Sequence, residues 1–262
     1  MQLGFVAHND VHDFEADCRF AARHDFSILD ITIPQTSPHI TIQTAQRMRQ
    51  ILDAYGLHCA SYGLWGINHI ATDGTIRHDA CEVRKQAIEV ASVLGAPLLV
   101  LGGGEASHVL DENVLTFAHV MRHTIDELSS RHMQLALYGF YDGFLTTPDA
   151  FERLWTVVGD VGISLDAASM YHAGFDYIDF VRRHGKRIRH IQVRDTLMHN
   201  GVRISEPPAG MGDITWPKLI ALLYEAEYHG ALAISAHGHL ARAGFREKMF
   251  LLAKQSLSPF LI

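Results

Sequence analysis

The chain has 262 residues, with 22 Lys and Arg against 29 Asp and Glu, a formal net charge of −7 and 48% apolar residues. This is the composition of a packed globular protein, not of a disordered chain, and the acidic balance without a basic stripe argues against a nucleic-acid partner. No apolar run approaches the roughly 18 residues of a membrane span. The opening MQLGFVAHNDVHDFEAD lacks the basic and apolar regions of a signal peptide, and Cys18, Cys59 and Cys81 are odd in number with no CxxC. Both features predict a cytoplasmic protein with reduced thiols.

Short runs rich in Val, Ile and Leu predict eight strands, at Leu3–Val6, Ser27–Ile33, Leu57–Tyr62, Pro97–Leu101, Met133–Tyr138, Val161–Leu165, Ile188–Val193 and Ala231–Ser235. Most are apolar on both faces, as a parallel sheet covered by helices requires. Segments of helical periodicity separate them: Phe14–His24, Ile42–Tyr55, His78–Leu94, Asp111–Arg131, Pro148–Val157, Tyr171–His184, Trp216–Glu227 and Arg242–Leu257. Thr147 before Pro148 is an N-cap with proline at the first helical position, and Thr215-Trp216-Pro217 is a similar start. Eight strand–helix units over 262 residues give about 33 residues each, the allotment of a single (β/α)8 TIM barrel over residues 1–262. The competing doubly wound sheet needs a glycine-rich turn after its first strand, and that turn, AHNDVHDF, has no glycine. Gly102-Gly103-Gly104 lacks a following Gly-Lys-Ser/Thr and reads as a turn.

In a TIM barrel the active site lies at the C-terminal ends of the strands. The polar residues predicted there are His8, Asn9 and Asp10 after strand one; Asp30 and Thr32 on strand two; and Trp65, Asn68, His69 and Asp73 after strand three. Glu105 and His108 follow strand four, Tyr138, Tyr141 and Asp142 strand five, and Asp166 and Ser169 strand six. His190, Gln192, Arg194 and Asp195 belong to strand seven, and Ser235, His237 and His239 to strand eight. Side-chain alternation puts His190, Gln192 and Arg194 on one face. Polar side chains at inward positions break the core pattern, and such a rim suits a small polyhydroxylated ligand.

The segment INHIATDGTIRHDACEVRKQAIEVASVLGAPLLVLGGG, then TPDAFERLW, VGISLD, RIRHIQVRDT, PAGMGDITWPKLIALL and YHGALAIS, resembles the xylose isomerase-like TIM barrels, grouped with AP endonuclease family 2. The resemblance spans nearly the whole chain. It implies a divalent metal held by a Glu ending strand five, an Asp ending strand six, the second His of a His-x-His on strand seven and a Glu ending strand eight. Those positions here are Tyr138, Asp166, Gln192 and Ser235, and Ser169 stands where the family has a substrate-contacting His. One Asp with neutral oxygens is a poor cage for a hard divalent ion, so no metal or other cofactor is expected there. A rebuilt site from Asp166, His190 and His237 stays open.

Each residue carries two readings. Asp166 is either a base raised in pKa by burial or a core residue tied to His190 or Tyr138; Glu105 is either an alternative base or solvated. His190 is a proton carrier or a partner of Asp166, and Tyr138 polarises a carbonyl or fills the space of the metal. Arg194 holds a ligand anion or pairs with Asp195. Gln192, Ser169, Ser235, His237, His69 and Trp65 complete the candidate binding set. The leading functional expectation is an isomerase or epimerase acting on a small sugar or hydroxy-keto acid by proton transfer next to a carbonyl. A lyase or dehydratase would use the same carbanion chemistry, and a catalytically silent barrel that binds a sugar-like ligand or joins a partner subunit is the alternative from another class. The pattern is compatible with a homo-oligomer, and endonuclease action lacks its ligand set.

Overall fold

The computed structural model describes residues 1–34, 39–71, 73–104, 110–140, 144–159 and 161–262, the side chains of 110 and 111 apart. Eight parallel strands close into a barrel in the order β1-β10-β7-β6-β5-β4-β3-β2. They are β1 (Gln2–Ala7), β2 (Ile28–Ile33), β3 (His58–Leu64), β4 (Leu98–Gly102), β5 (Gln134–Tyr138), β6 (Gly162–Leu165), β7 (Ile188–Val193) and β10 (Ala231–Ile234). All eight predicted strands are present, because each is a run long enough to be buried on both faces.

The helices α1 (Val11–Arg23), α2 (Ile42–Tyr55), α3 (His78–Leu94), α4 (Leu110–Ser130) and α5 (Pro148–Val158) follow the first five strands. Capping fixes their starts: Asp10 accepts from the Asp13 amide, Thr41 from Thr44 and Thr147 from Ala150 ahead of Pro148. Trp216 does open α8 (Trp216–Glu225), but Thr215 makes no side-chain cap; its amide instead donates to the Tyr177 hydroxyl at 2.8 Å. The single helix predicted over 171–184 is two, α6 (Ala167–His172) and α7 (Tyr177–His184), since Asp166 caps the first and Asp176 the second. The last helix is α10 (Arg246–Leu257), preceded by the turn α9 (Gly238–Leu240) and an irregular stretch in which Gly244 has φ 84°.

One feature is absent from the predicted set. Between β7 and α8 an antiparallel hairpin forms from β8 (Leu197–His199) and β9 (Val202–Ser205), turned by Asn200 and Gly201 with φ 50° and 75°. Asn-Gly is the preferred pair for a tight hairpin because both residues tolerate positive φ. The loop that follows wraps around Asp195, whose carboxylate accepts the amides of Thr196, Gly210 and Ile214 at 2.8 to 3.0 Å. Gly212 must be glycine there, since a Cβ would stand 2.3 Å from Asp195 Oδ1. Asp195 is thus a loop anchor, not the partner of Arg194.

The core between strands and helices includes Phe5, Phe14, Phe117, Phe151, Phe180, Phe250 and Trp216, all essentially sealed from solvent. Phe5 stacks on Phe250 with ring centroids 4.4 Å apart, which fixes the outward face of β1 and leaves Gly4, Val6 and His8 on the inward row. Among the described residues no helix is long and apolar enough to cross a membrane.

Candidate functional site

A cavity of about 490 Å³ opens at the C-terminal mouth of the barrel. Val6, Ala7 and His8 from β1, Thr32 from β2, and Trp65 and Tyr138 beyond and at the ends of β3 and β5 form one side. Gln192 of β7, Arg194 just beyond it, Ser235 and His237 just beyond β10, Arg203 and Glu206 of the hairpin segment, and Arg246 at the start of α10, beside β1, complete the wall. Inward alternation delivers Gln192 and Arg194, so the parity predicted for strand seven holds for both.

The centre of the wall is an ion-pair network. Arg194, 8% exposed, donates from one terminal nitrogen to Asp166 Oδ2 and from the other to Glu206 Oε1, both at 2.7 Å. The Tyr138 hydroxyl and Ser169 Oγ also donate to Asp166 Oδ2, at 3.2 and 2.9 Å, while Oδ1 accepts the Ser169 amide at the start of α6. Burial works against the Arg194 charge, but Asp166, Tyr138 and Glu206 outweigh it and hold the guanidinium above its usual range. Burial and the charge of Asp166 push the Tyr138 phenol well up, so it remains a donor. Trp65 packs edge-on against Tyr138 at 4.0 Å. Gln192 donates to Ser235 Oγ at 3.2 Å, and Ser235 Oγ lies 2.7 Å from His237 Nε2. Burial and the charge of Arg194 lower His237 to about 4, which keeps its imidazole neutral at pH 7.

Three polar atoms of this wall are buried without a hydrogen-bond partner among the described residues: Trp65 Nε1, Gln192 Oε1 and Arg194 Nε. Native interiors leave few such atoms, and three around one cavity mark a region not satisfied by the fold alone.

Of the predicted residues, His8, Thr32, Trp65, Tyr138, Gln192, Arg194, Ser235 and His237 line the cavity, and Asp166 and Ser169 lie directly behind it. His190 is elsewhere. It sits one layer deeper, with Nε2 2.7 Å from Asp30 Oδ2 across the barrel and Nδ1 2.8 Å from Ser164 Oγ, while Ser61 donates to Asp30 Oδ1. Its partner is therefore Asp30, not Asp166, and both ring nitrogens are engaged. His69 is fully buried between α3 and α4, its Nδ1 3.0 Å from an Arg84 nitrogen and its ring against Phe117. Burial, then the charges of Arg84 and Arg77, lower it to about 3. It belongs to the packing behind the barrel and does not line the cavity. Glu105, His108, Tyr141 and Asp142 lie outside the described residues.

The structure adds Arg203, Glu206 and Arg246 to the wall. None stands at a strand end, so a search of strand termini passes them over; Asn200-Gly201 is the signal that predicts the hairpin carrying the first two. His8 is a strand-end residue whose importance depends on Asp17, nine positions on and one helical face away.

The wall holds one carboxylate at the four positions where the resemblance places metal ligands, and that carboxylate is bound to a guanidinium. Among the described residues no group of three or more His, Cys, Asp or Glu is arranged to hold a metal ion.

The barrel is similar to solved structures over almost its whole length. A xylose isomerase domain protein from Planctomyces limnophilus superposes with a TM-score of 0.81 at 18% identity, covering 99% of this chain and 96% of that one. D-psicose 3-epimerase from Clostridium cellulolyticum H10, crystallised with D-tagatose, gives 0.75 at 14% identity over 99% and 98% of the two chains. A xylose isomerase-like TIM barrel protein from Mycobacterium smegmatis, in complex with magnesium, gives 0.72 at 14% identity over 98% and 97%. No curated protein matches the chain. The family described as xylose isomerase-like TIM barrel matches residues 18–254, and the chain belongs to that family.

Proposed function

We propose that the protein is an isomerase- or epimerase-like enzyme that moves a proton next to the carbonyl of a small sugar, with the Arg194 guanidinium serving where relatives of this fold use a divalent ion. The observation that carries this reading is the buried Arg194–Asp166 pair at 2.7 Å. Asp166 Oδ2 already accepts from Arg194, Tyr138 and Ser169, and the other three positions are a phenol, an amide and a hydroxyl. A hard divalent cation prefers several free carboxylates, so these residues do not fit one. Arg194 uses two of its roughly five N–H donors on Asp166 and Glu206, leaving donors and a fixed positive charge beside the cavity. A preorganised cation is what an enediolate oxygen needs.

Charge balance narrows the ligand. Arg194, Arg203 and Arg246 are each paired with Asp166, Glu206 or Asp17. No guanidinium of the wall is left over for a carboxylate or phosphate, which favours a neutral sugar over a keto acid. A barrel that binds such a sugar without turning it over is the second reading, favoured by one observation: Asp166 is ion-paired to Arg194 and its Oδ2 accepts three hydrogen bonds, so it is not a free base.

Solvent-deuterium incorporation into unphosphorylated ketohexoses and ketopentoses, followed by proton NMR after dialysis against EDTA, tests the proposal. Exchange that persists in the chelator is the expected result. Exchange abolished by EDTA and restored by Mn²⁺, Mg²⁺, Co²⁺ or Zn²⁺, with a melting temperature that climbs with metal concentration, overturns it.

A further inference from the structure

Proton transfer needs a base, and the described residues behind the cavity do not offer a free one. Asp166 is ion-paired to Arg194 with three bonds on Oδ2, Glu206 is shared by Arg194 and Arg203, the Tyr138 phenol is engaged, and His237 is held too weakly basic by its surroundings. At the β1 end of the wall stands a different arrangement. His8, on the inward row of β1, borders the cavity, and its Nδ1 lies 3.0 Å from Asp17 Oδ2. The same carboxylate oxygen accepts the His8 backbone amide at 2.7 Å, so imidazole and main chain are fixed to one point.

Resting on the functional reading above, we propose that His8 is the general base of this reaction and that Asp17 is its positioning residue. A carboxylate only accepts hydrogen bonds, so the Asp17 contact places the proton of the neutral ring on Nδ1 and leaves Nε2 with its lone pair. Nε2 has no hydrogen-bond partner among the described residues. Asp17 is itself rigid: it is buried on α1, and Arg246 donates to Oδ1 at 2.7 Å and to Oδ2 at 3.2 Å. Burial raises its carboxyl, but the bonds from His8 and Arg246 outweigh that and hold it below the usual carboxylate range. The guanidinium of Arg246 lies over Phe250 and Phe5, 4.7 and 5.8 Å from the ring centres, which locks the clamp to the core. The carboxylate–imidazole unit is the logic of an oriented base whose cationic form is balanced by a buried anion.

In the step proposed, His8 Nε2 takes the hydrogen from the carbon beside the carbonyl. The C–H bond breaks and an N–H bond forms; the released pair becomes a C=C bond, and the carbonyl pair moves to oxygen, whose charge Arg194 stabilises. His8 then gives that proton to the adjacent carbon, while the neighbouring hydroxyl passes its own proton to the enediolate oxygen and its freed pair forms the new carbonyl. The His8 side chain is 44% exposed, so the N–H exchanges with water between the two halves of the reaction.

The test is deuterium incorporation into the same unphosphorylated ketoses by wild type, His8→Ala, His8→Gly and Asp17→Asn. His8→Ala is expected to lower exchange about 100-fold or more, with KM little changed, and added imidazole to restore part of it. Asp17→Asn is expected to lower kcat at similar KM. Exchange in His8→Ala equal to wild type overturns the role of His8 and leaves the isomerase reading standing. Loss that imidazole restores in neither His8→Ala nor His8→Gly makes His8 structural and also overturns it. No exchange by wild type with any of these sugars overturns both.

Discussion

Among the described residues two histidine–aspartate pairs stand at different depths of the barrel, and they differ in what the second ring nitrogen does. His190 and Asp30 are 4% and 2% exposed, and His190 spends its other nitrogen on Ser164. His8 and Asp17 make a similar contact, but among the described residues His8 Nε2 has no hydrogen-bond partner at the mouth. The same two residue types therefore serve as a sealed strut in one layer and as an oriented base in the next. What separates them is depth. Below the mouth, strands β2, β3, β6 and β7 converge and every polar group must find a partner; at the rim the hairpin and α10 stand back and leave about 490 Å³ between them.

Breaking the sealed pair is expected to have the largest effect on stability. His190→Ala leaves the Asp30 carboxylate buried with Ser61 alone, at a cost of about 3–5 kcal/mol, measured by urea unfolding. Asp166→Ala ranks next, at about 3 kcal/mol, because Arg194 loses its closest buried anion but keeps Glu206. The double variant Asp166→Ala with Arg194→Met recovers part of that loss, since it removes the stranded charge. If Asp166→Ala alone were neutral, the network would not be the centre of the site.

The sequence already contained the fold, because strand runs buried on both faces and helices with one apolar stripe leave few alternatives. It also contained the cavity's strand-end residues, since alternation from Gln192 predicts Arg194 and the end of the last strand run leads to Ser235 and His237. Contacts between elements were harder to read. Arg194 bonds Asp166 from a strand 28 positions on and Glu206 from a hairpin 12 positions on, and neither distance follows from local spacing. Adjacency in the chain favoured Asp195, which the loop after the hairpin claims with three amides. His69 shows the opposite case: a loop histidine beside a strand end that turns away into the packing of α3 and α4.

His69 supplies an acid-sensitive step distinct from either pair. Its pKa is about 3 folded and about 6.5 unfolded, so the unfolded state binds one proton more between those values. Stability contributed by its neutral form is complete above pH 6.5 and is lost as pH falls toward 3, with a slope of about 1.4 kcal/mol per pH unit. His69→Gln is expected to lack that slope, so that the difference between the wild-type and variant unfolding free energies changes by about that amount per pH unit across pH 7 to 4. An unchanged slope places the titrating proton on another group.

The smallest stability effect discriminates best between the two histidine pairs. His8→Ala removes one hydrogen bond from a half-exposed ring, while Asp17 keeps the His8 amide and both bonds from Arg246. The clamp on Phe5 and Phe250 is untouched, and a loss under about 1 kcal/mol is expected in the same urea assay. A cost as large as that of His190→Ala would make the two pairs energetically alike and remove the reason to assign them different roles. A small cost joined to lost deuterium exchange would show that His8 is retained for the ligand, because the fold scarcely registers its absence.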